Sequence, residues 1–314
     1  MSTEKELMTP IIDLGMLARN HLWIKREDLI PFSFGGNKAR KARLFFQEIE
    51  NGKYDCVVTY GSSSSNHCRV IANECYRRGI GCYIICPIEA SYITFNSQLI
   101  DMFGAELTVV SVDEVHDTIY TVINSLRDQG KRPFFIEGGG HGNIGTEAYV
   151  RCYREIKEQE RDLSVYFDYI FFPSGTGTTQ AGLVSGQLLE EDDRRIVGIS
   201  IARKNPRGRD IVLDSIRAYL GDGFEERLIQ DATVFVDDYT EGYGRGERII
   251  SDTVETVMRS YGVPMDEIYT GKAFWGMTQY INGIEGKNLL FIHTGGTPLF
   301  FDHLFNNRVD NKAR

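Results

Sequence analysis

Residues 169–182 read YIFFPSGTGTTQAG, an apolar run that breaks into a serine–glycine–threonine turn and resumes as helix-forming sequence near Gln180. The run is continuously apolar rather than alternating, as expected of a strand buried on both faces. The same order recurs along the chain. YDCVVTYG (54–61) is followed by SSSSNH and a helix predicted to about Arg78. Further strands are expected at 22–27 (LWIKRE), 82–87 (CYIICP), 106–110 (ELTVV), 133–140 (PFFIEGGG), 194–201, 232–238 and 288–296, with helical stretches between them. Alternation of this kind predicts parallel α/β sheets covered on both faces, which bind ligands beyond the carboxyl ends of their strands. Four predicted strands end in glycine- or hydroxyl-rich turns, after Tyr60, Ile136, Phe172 and His293.

The 314-residue length suggests two domains. A net charge of −9 argues against nucleic acid or an anionic membrane as a main partner. No apolar run approaches the ~20 residues that span a bilayer. The polar, acidic start MSTEKELMTP has no signal-peptide core, so a cytoplasmic protein is expected. The cysteines show no CxxC pair and the histidines no HExxH spacing, so reduced core thiols are expected and no metal site.

The turn 174–179 offers backbone N–H groups and hydroxyls at a helix start, which together form an anion cradle. It is neither a Walker A loop nor a complete GxGxxG, since Gln180 stands where the third glycine would be. A single phosphate on a small cofactor or substrate remains, beside the bland reading of a turn without ligand. The loop 60–67 suits a carboxylate, although serine and asparagine also cap helices generally. A third stretch, PFSFGGNKARKARLFF (31–46), is read as a helix capped by Asn37 and ended by Gly52. It crowds Lys38, Arg40, Lys41 and Arg43 into its first two turns, where the helix dipole disfavours cations. A lysine, a single phosphate and a carboxylate cradle together fit pyridoxal phosphate held as a Schiff base, with an amino acid as substrate. Arg40 and Lys41 are expected to lower the Lys38 pKa.

With KREDLIPFSFGGNKARK, SSNHCR, SGTGTTQAG, EGYG, YTGKAFWGM and FIHTGGTP in this order over residues 25–298, the chain resembles a known family. It is similar to the pyridoxal-phosphate enzymes of the tryptophan-synthase-β class (fold type II), within them the D-cysteine desulfhydrase and 1-aminocyclopropane-1-carboxylate deaminase family. The resemblance implies two three-layer αβα domains with mostly parallel sheets and the cofactor in the cleft between them. Residues 1–45 and 155–314 would form the large domain, and 46–154 a smaller inserted one. Lys38 would bind the cofactor and move the α-proton. Asn66 would bond its 3′-oxygen, and Ser64, Ser65 and His67 would line the substrate-carboxylate loop. Gly175, Thr176, Gly177, Thr178 and Thr179 match the phosphate cradle. Tyr269 would pack on the pyridine ring, Tyr243 would approach the substrate, and Thr270 and Thr294 would lie near the pyridine nitrogen and cofactor pocket.

Thr270 matches the desulfhydrase branch, whereas the deaminase branch has glutamate there. A hydroxyl cannot hold a strong positive charge on the ring. The weaker electron sink favours β-elimination, giving pyruvate, ammonia and the leaving group. Deamination of a strained ring and β-replacement are the alternatives within this fold. A non-catalytic amino-acid binder and an unrelated nicotinamide dehydrogenase are rivals outside it. Glu137, His141 and Arg245 depart from the family pattern near the substrate side and leave D-cysteine itself open. A small amino-acid substrate and a homodimer are the partners that the resemblance implies.

Overall fold

The computed structural model describes residues 8–239 and 246–312. The first half runs β1 (Ile11–Leu17), β2 (Asn20–Arg26), α1 (Asn37–Asn51), β3 (Cys56–Tyr60), α2 (Asn66–Arg78), β4 (Gly81–Pro87), α3 (Phe95–Met102), β5 (Glu106–Val110), α4 (Val115–Asp128), β6 (Pro133–Ile136) and α5 (Asn143–Leu163). The second runs β7 (Tyr169–Ser174), α6 (Thr178–Leu189), β8 (Arg195–Ser200), α7 (Arg207–Leu220), α8 (Glu226–Ala232), β9 (Val234–Val236), α9 (Gly246–Tyr261), α10 (Thr270–Tyr280), β10 (Asn288–His293) and α11 (Thr297–Lys312). No helix among the described residues is long and apolar enough to cross a membrane.

Two sheets form, ordered β1-β2-β10-β7-β8-β9 and β5-β4-β3-β6. All pairings are parallel except the β1–β2 hairpin at one edge of the larger sheet. Each sheet has an apolar core on both faces, which is why its central strands are apolar throughout. β5 is the exception. It is an edge strand with Leu107 and Val109 exposed. The sequence reading also omits β1, where the register shifts between Asp13 and Gly15 and a glycine with φ +82° breaks the alternation.

The strands of the smaller sheet fall between β2 and β7 in the chain. The expected boundaries at 45 and 154 fall inside α1 and α5. Ala39, Ala42, Phe46 and Ile49 of α1 pack into the core of the smaller sheet, whereas Tyr149, Tyr153 and Ile156 of α5 pack into the larger. We propose Gly36 and Gly142 as the joints. Each is the N-cap of its helix, with φ of +92° and +103°.

Pairing of β2 with β10 decides where the site lies. It sets Arg26 opposite His293, so the loops that leave both strands emerge together. Asn37 N donates to Thr294 O at 2.9 Å. A Cβ on Gly36 would stand 2.6 Å from Thr294 O, and one on Gly295 would stand 2.7 Å from Gly36 Cα. The GGNK and HTGG motifs are thus two halves of one backbone-to-backbone contact that admits no side chain.

Candidate active site

A cavity of about 440 Å³ lies between the two sheets at the carboxyl ends of β3, β7 and β10. Lys38, on the first turn of α1, reaches into it and donates to Gly139 O at 2.9 Å. Burial pulls the Lys38 ammonium down to about 8, opposed only weakly by the Cys68 thiol. Depth in the cleft therefore lowers this pKa, not the neighbouring cations expected from the sequence. Arg40 points the other way and pairs with Glu27 at 2.5 Å and with Glu155 at 2.8 Å. Asn37 is likewise not the cap of α1. Gly36 holds that place, and Asn37 Nδ2 donates to Thr179 Oγ1 at 3.2 Å.

One wall is the turn 174–179. Gly175, Thr176, Gly177 and Thr179 line the cavity, and Gly177 (φ +91°) starts α6. Thr178 is buried and does not line it; its hydroxyl meets His141 Nδ1 at 2.8 Å. Behind the Gly139–Gly140 turn lies Lys41, whose buried Nζ has no hydrogen-bond partner. Burial, then the charge on Lys38, pushes its pKa well below the ordinary lysine value. A buried amine without a hydrogen-bond partner, close to a helix N-terminus, fits a phosphate dianion whose charge would favour its protonated form. Gly139 leaves the room such a ligand needs, since a Cβ there would stand 2.8 Å from Thr176 Cγ2 and 3.3 Å from Lys38 Nζ.

The opposite wall is the start of α2. Ser65 is its N-cap and accepts from the backbone N–H groups of His67 and Cys68 at 3.2 Å. Ser65, Asn66 and His67 line the cavity. Ser62 lines it too, while Ser64, expected there, instead faces Ser62 Oγ at 3.2 Å. Thr59 gives its proton to Ile136 O at 2.7 Å, so at 2.8 Å it can only accept from His67 Nε2. Burial, then Lys38 and Lys41, holds His67 well below its usual pKa, and it is neutral.

Tyr269 and Thr294 line the cavity, and burial pushes the Tyr269 phenol up to about 12. Thr270 does not line it. Its hydroxyl donates to the buried Asp266 Oδ2 at 2.7 Å and accepts from Asp266 N at 2.9 Å. So committed, it can accept from a ring nitrogen but not donate to one. Glu137 is exposed and off the cavity wall. Tyr243 and Arg245 lie outside the described residues. Tyr60, Gly139 and Arg203 also line the cavity, with no motif in the sequence to mark them. Lys41 is expected as a tuning charge, although its place one turn after Lys38 puts it on the same helix face.

The family described as pyridoxal-phosphate dependent enzyme matches residues 3–295. The chain belongs to this family. It is 31% identical over 93% of its length to a D-cysteine desulfhydrase of Yersinia enterocolitica, covering 92% of that protein. The D-cysteine desulfhydrase of Serratia proteamaculans is 30% identical over the same shares. Among solved structures, an ACC deaminase homologue superposes with a TM-score of 0.83 at 29% identity, covering 96% of this chain and 94% of that one. An O-ureido-L-serine synthase, at 17% identity and a TM-score of 0.68, shares the fold. The enzyme is therefore pyridoxal-phosphate dependent, with the mixed α/β fold of that class.

The state of Lys38 gives a first prediction. Apoenzyme mixed with pyridoxal phosphate should capture it at a rate that rises about tenfold per pH unit below pH 8 and levels off above, tracking the free amine. Stopped-flow absorbance reads this directly, and a rate still climbing steeply past pH 10 would refute it.

Proposed function

We propose that this enzyme catalyses β-elimination from a small β-substituted amino acid of the D-cysteine kind. Water is consumed, and pyruvate, ammonia and the leaving group (sulfide for cysteine) are released. The observation that carries the reading is the Lys38 amine facing a cavity with a helix N-terminus on each side. Bound pyridoxal phosphate supplies an electron sink that acidifies the substrate α-carbon. The chain's own residues do the rest. With its pKa near 8, Lys38 can both give and take a proton at Nζ near neutrality. The 175–179 turn would hold the phosphate, with Lys41 behind the Gly139–Gly140 turn as a nearby charge, and Asn66 would hold the ring 3-oxygen. Ser62, Ser65 and the N-terminus of α2 would receive the substrate carboxylate. Tyr269 stays protonated, so its hydroxyl can donate without competing for the α-proton.

The second reading, opening of the cyclopropane amino acid, is supported by the likeness to the ACC deaminase homologue. Thr270 weighs against it. A threonine hydroxyl backed by Asp266 offers the ring nitrogen only a neutral acceptor, where a glutamate would offer a charge. Incubation with D-cysteine, L-cysteine, O-acetylserine and 1-aminocyclopropane-1-carboxylate, with sulfide and keto-acid assays, separates the readings. D-cysteine should give sulfide and pyruvate with kcat/KM at least ~10-fold above the cyclopropane substrate. Keto acid from the cyclopropane alone would overturn the assignment. Homodimeric assembly and a cytoplasmic location belong to the same proposal by resemblance. Light scattering at the monomer mass of 35.6 kDa would remove the first.

A further inference from the structure

Arg69 is fully buried, yet it pairs with no carboxylate among the described residues. The other deeply buried arginines differ: Arg40 meets Glu27 and Glu155, and Arg194 meets Asp192 and Glu160. Arg69 bonds only to neutral oxygens. Nη1 donates to Asn66 Oδ1 at 2.7 Å and to Asn96 Oδ1 at 2.8 Å, and Nη2 donates to Ser33 O at 2.9 Å. Its Nε has no hydrogen-bond partner among the described residues, and its guanidinium lies 5.8 Å from the centre of the Phe34 ring. An uncompensated buried cation is expensive to keep unless a ligand supplies the missing charge.

The contacts say where that charge belongs. Asn66 Oδ1 also accepts from Asn96 Nδ2 at 3.0 Å, and Asn96 is tied by the same amide nitrogen to Ser64 O at 2.7 Å. Both acceptor sites of the Asn66 carbonyl are thereby taken. The amide cannot turn over without losing two bonds, so Nδ2 is fixed as the group presented to the cavity that Asn66 lines. Arg69 also grips the backbone of the loop before Lys38, where Ser33 and Phe34 adopt φ of +46° and +54°. It thus joins the lysine loop to the opposite wall.

We propose that Arg69, with Asn96, is a positioning residue that locks the Asn66 amide donor-outward. Its positive charge, relayed through that amide, makes the site select a cofactor whose ring oxygen is anionic. This rests on the pyridoxal-phosphate reading and deepens it. The charge-assisted relay strengthens the one hydrogen bond from the small-sheet wall to the ring.

The test compares apoenzyme affinity for pyridoxal phosphate and for its 3-deoxy analogue, which keeps the aldehyde and phosphate but lacks the ring oxygen. Wild type should prefer pyridoxal phosphate by about 10- to 100-fold, the range for a hydrogen bond to a charged group. In Arg69→Gln the preference should fall below about 3-fold, while Arg69→Lys retains an intermediate value. Asn96→Ala leaves the charge but frees the amide, and should lose at least about 3-fold of the preference; it decides the matter if Arg69→Gln does not fold. Equal affinity of wild type for the two compounds, or undiminished preference in a folded Arg69→Gln or in Asn96→Ala, would overturn the inference while leaving the cofactor assignment standing. Binding of neither compound would remove the cofactor assignment, and this inference with it.

Discussion

Lys38→Ala should lose the visible absorption of the cofactor-loaded protein and at least ~10⁴-fold in turnover, because one amine serves both as nucleophile and as proton carrier. The loss should not come from unfolding. Among the described residues Lys38 makes a single hydrogen bond, to Gly139 O. Its pKa lies below the ordinary lysine value of 10.5, so the folded state holds this proton less tightly than the unfolded chain does. Such a group is a burden on stability below about pH 8, and the burden is relieved as pH rises from about 8 toward 10.5. Removing it should leave the apoenzyme as stable at pH 7, or more stable by on the order of 1–3 kcal/mol. Lys41 should not take over, since its amine lies behind the Gly139–Gly140 turn, off the cavity wall. Absorbance, turnover and apoenzyme melting temperature on one preparation check all three points. A retained chromophore, or a fall of several degrees in melting temperature at pH 7, would show that Lys38 is structural instead.

Most of this site is legible in the sequence because its motifs are backbone devices. Gly36 of GGNK and Gly295 of HTGG are there because two loops, far apart in sequence, meet without room for a Cβ. The turn 174–179 is recognisable because a strand cannot pass so sharply into a helix without Gly177. Less legible is the direction of each side chain. Arg40 sits two residues from Lys38, about 200° around the helix, and so serves the opposite face. Lys41, three residues on, returns to the cavity side. Sequence adjacency suggests that both tune the lysine, whereas the helix period separates them. The side chains of Ser64 and Thr178 turn aside for the same reason: within a run of hydroxyl residues only some positions face the cavity. Arg69 and Asp266 leave no local mark, because their meaning lies in partners that only the tertiary fold supplies, or withholds.

The buried cluster around Arg40 gives the largest expected effect on stability. Glu27 is fully buried and takes hydrogen bonds from Arg40 at 2.5 and 2.7 Å, Thr9 Oγ1 at 2.6 Å and Tyr149 OH at 3.3 Å. Burial alone would push its carboxyl up, but Arg40 first, then Lys25 and Thr9, outweigh burial and hold it at about 2. Arg40→Met keeps the volume and removes the main counter-charge, leaving a buried carboxylate at a loss of about 3–5 kcal/mol near neutrality. The damage should reach the site, because the Glu27 carbonyl accepts from Gly36 N at 2.7 Å, two residues before Lys38. The pH dependence separates this cause from lost packing. In wild type the depressed pKa of Glu27 contributes stability above its ordinary value of 4.5, and that contribution fades as pH falls from there toward 2. In the variant burial dominates and raises the same pKa, so acidification protonates the group and recovers stability. Urea midpoints for the two proteins should therefore lie furthest apart at pH 7, draw closer as pH falls toward 4.5, and meet only toward pH 2. A gap that stays constant over this range would assign the loss to packing of the Arg40 stem, and the charge argument would fail.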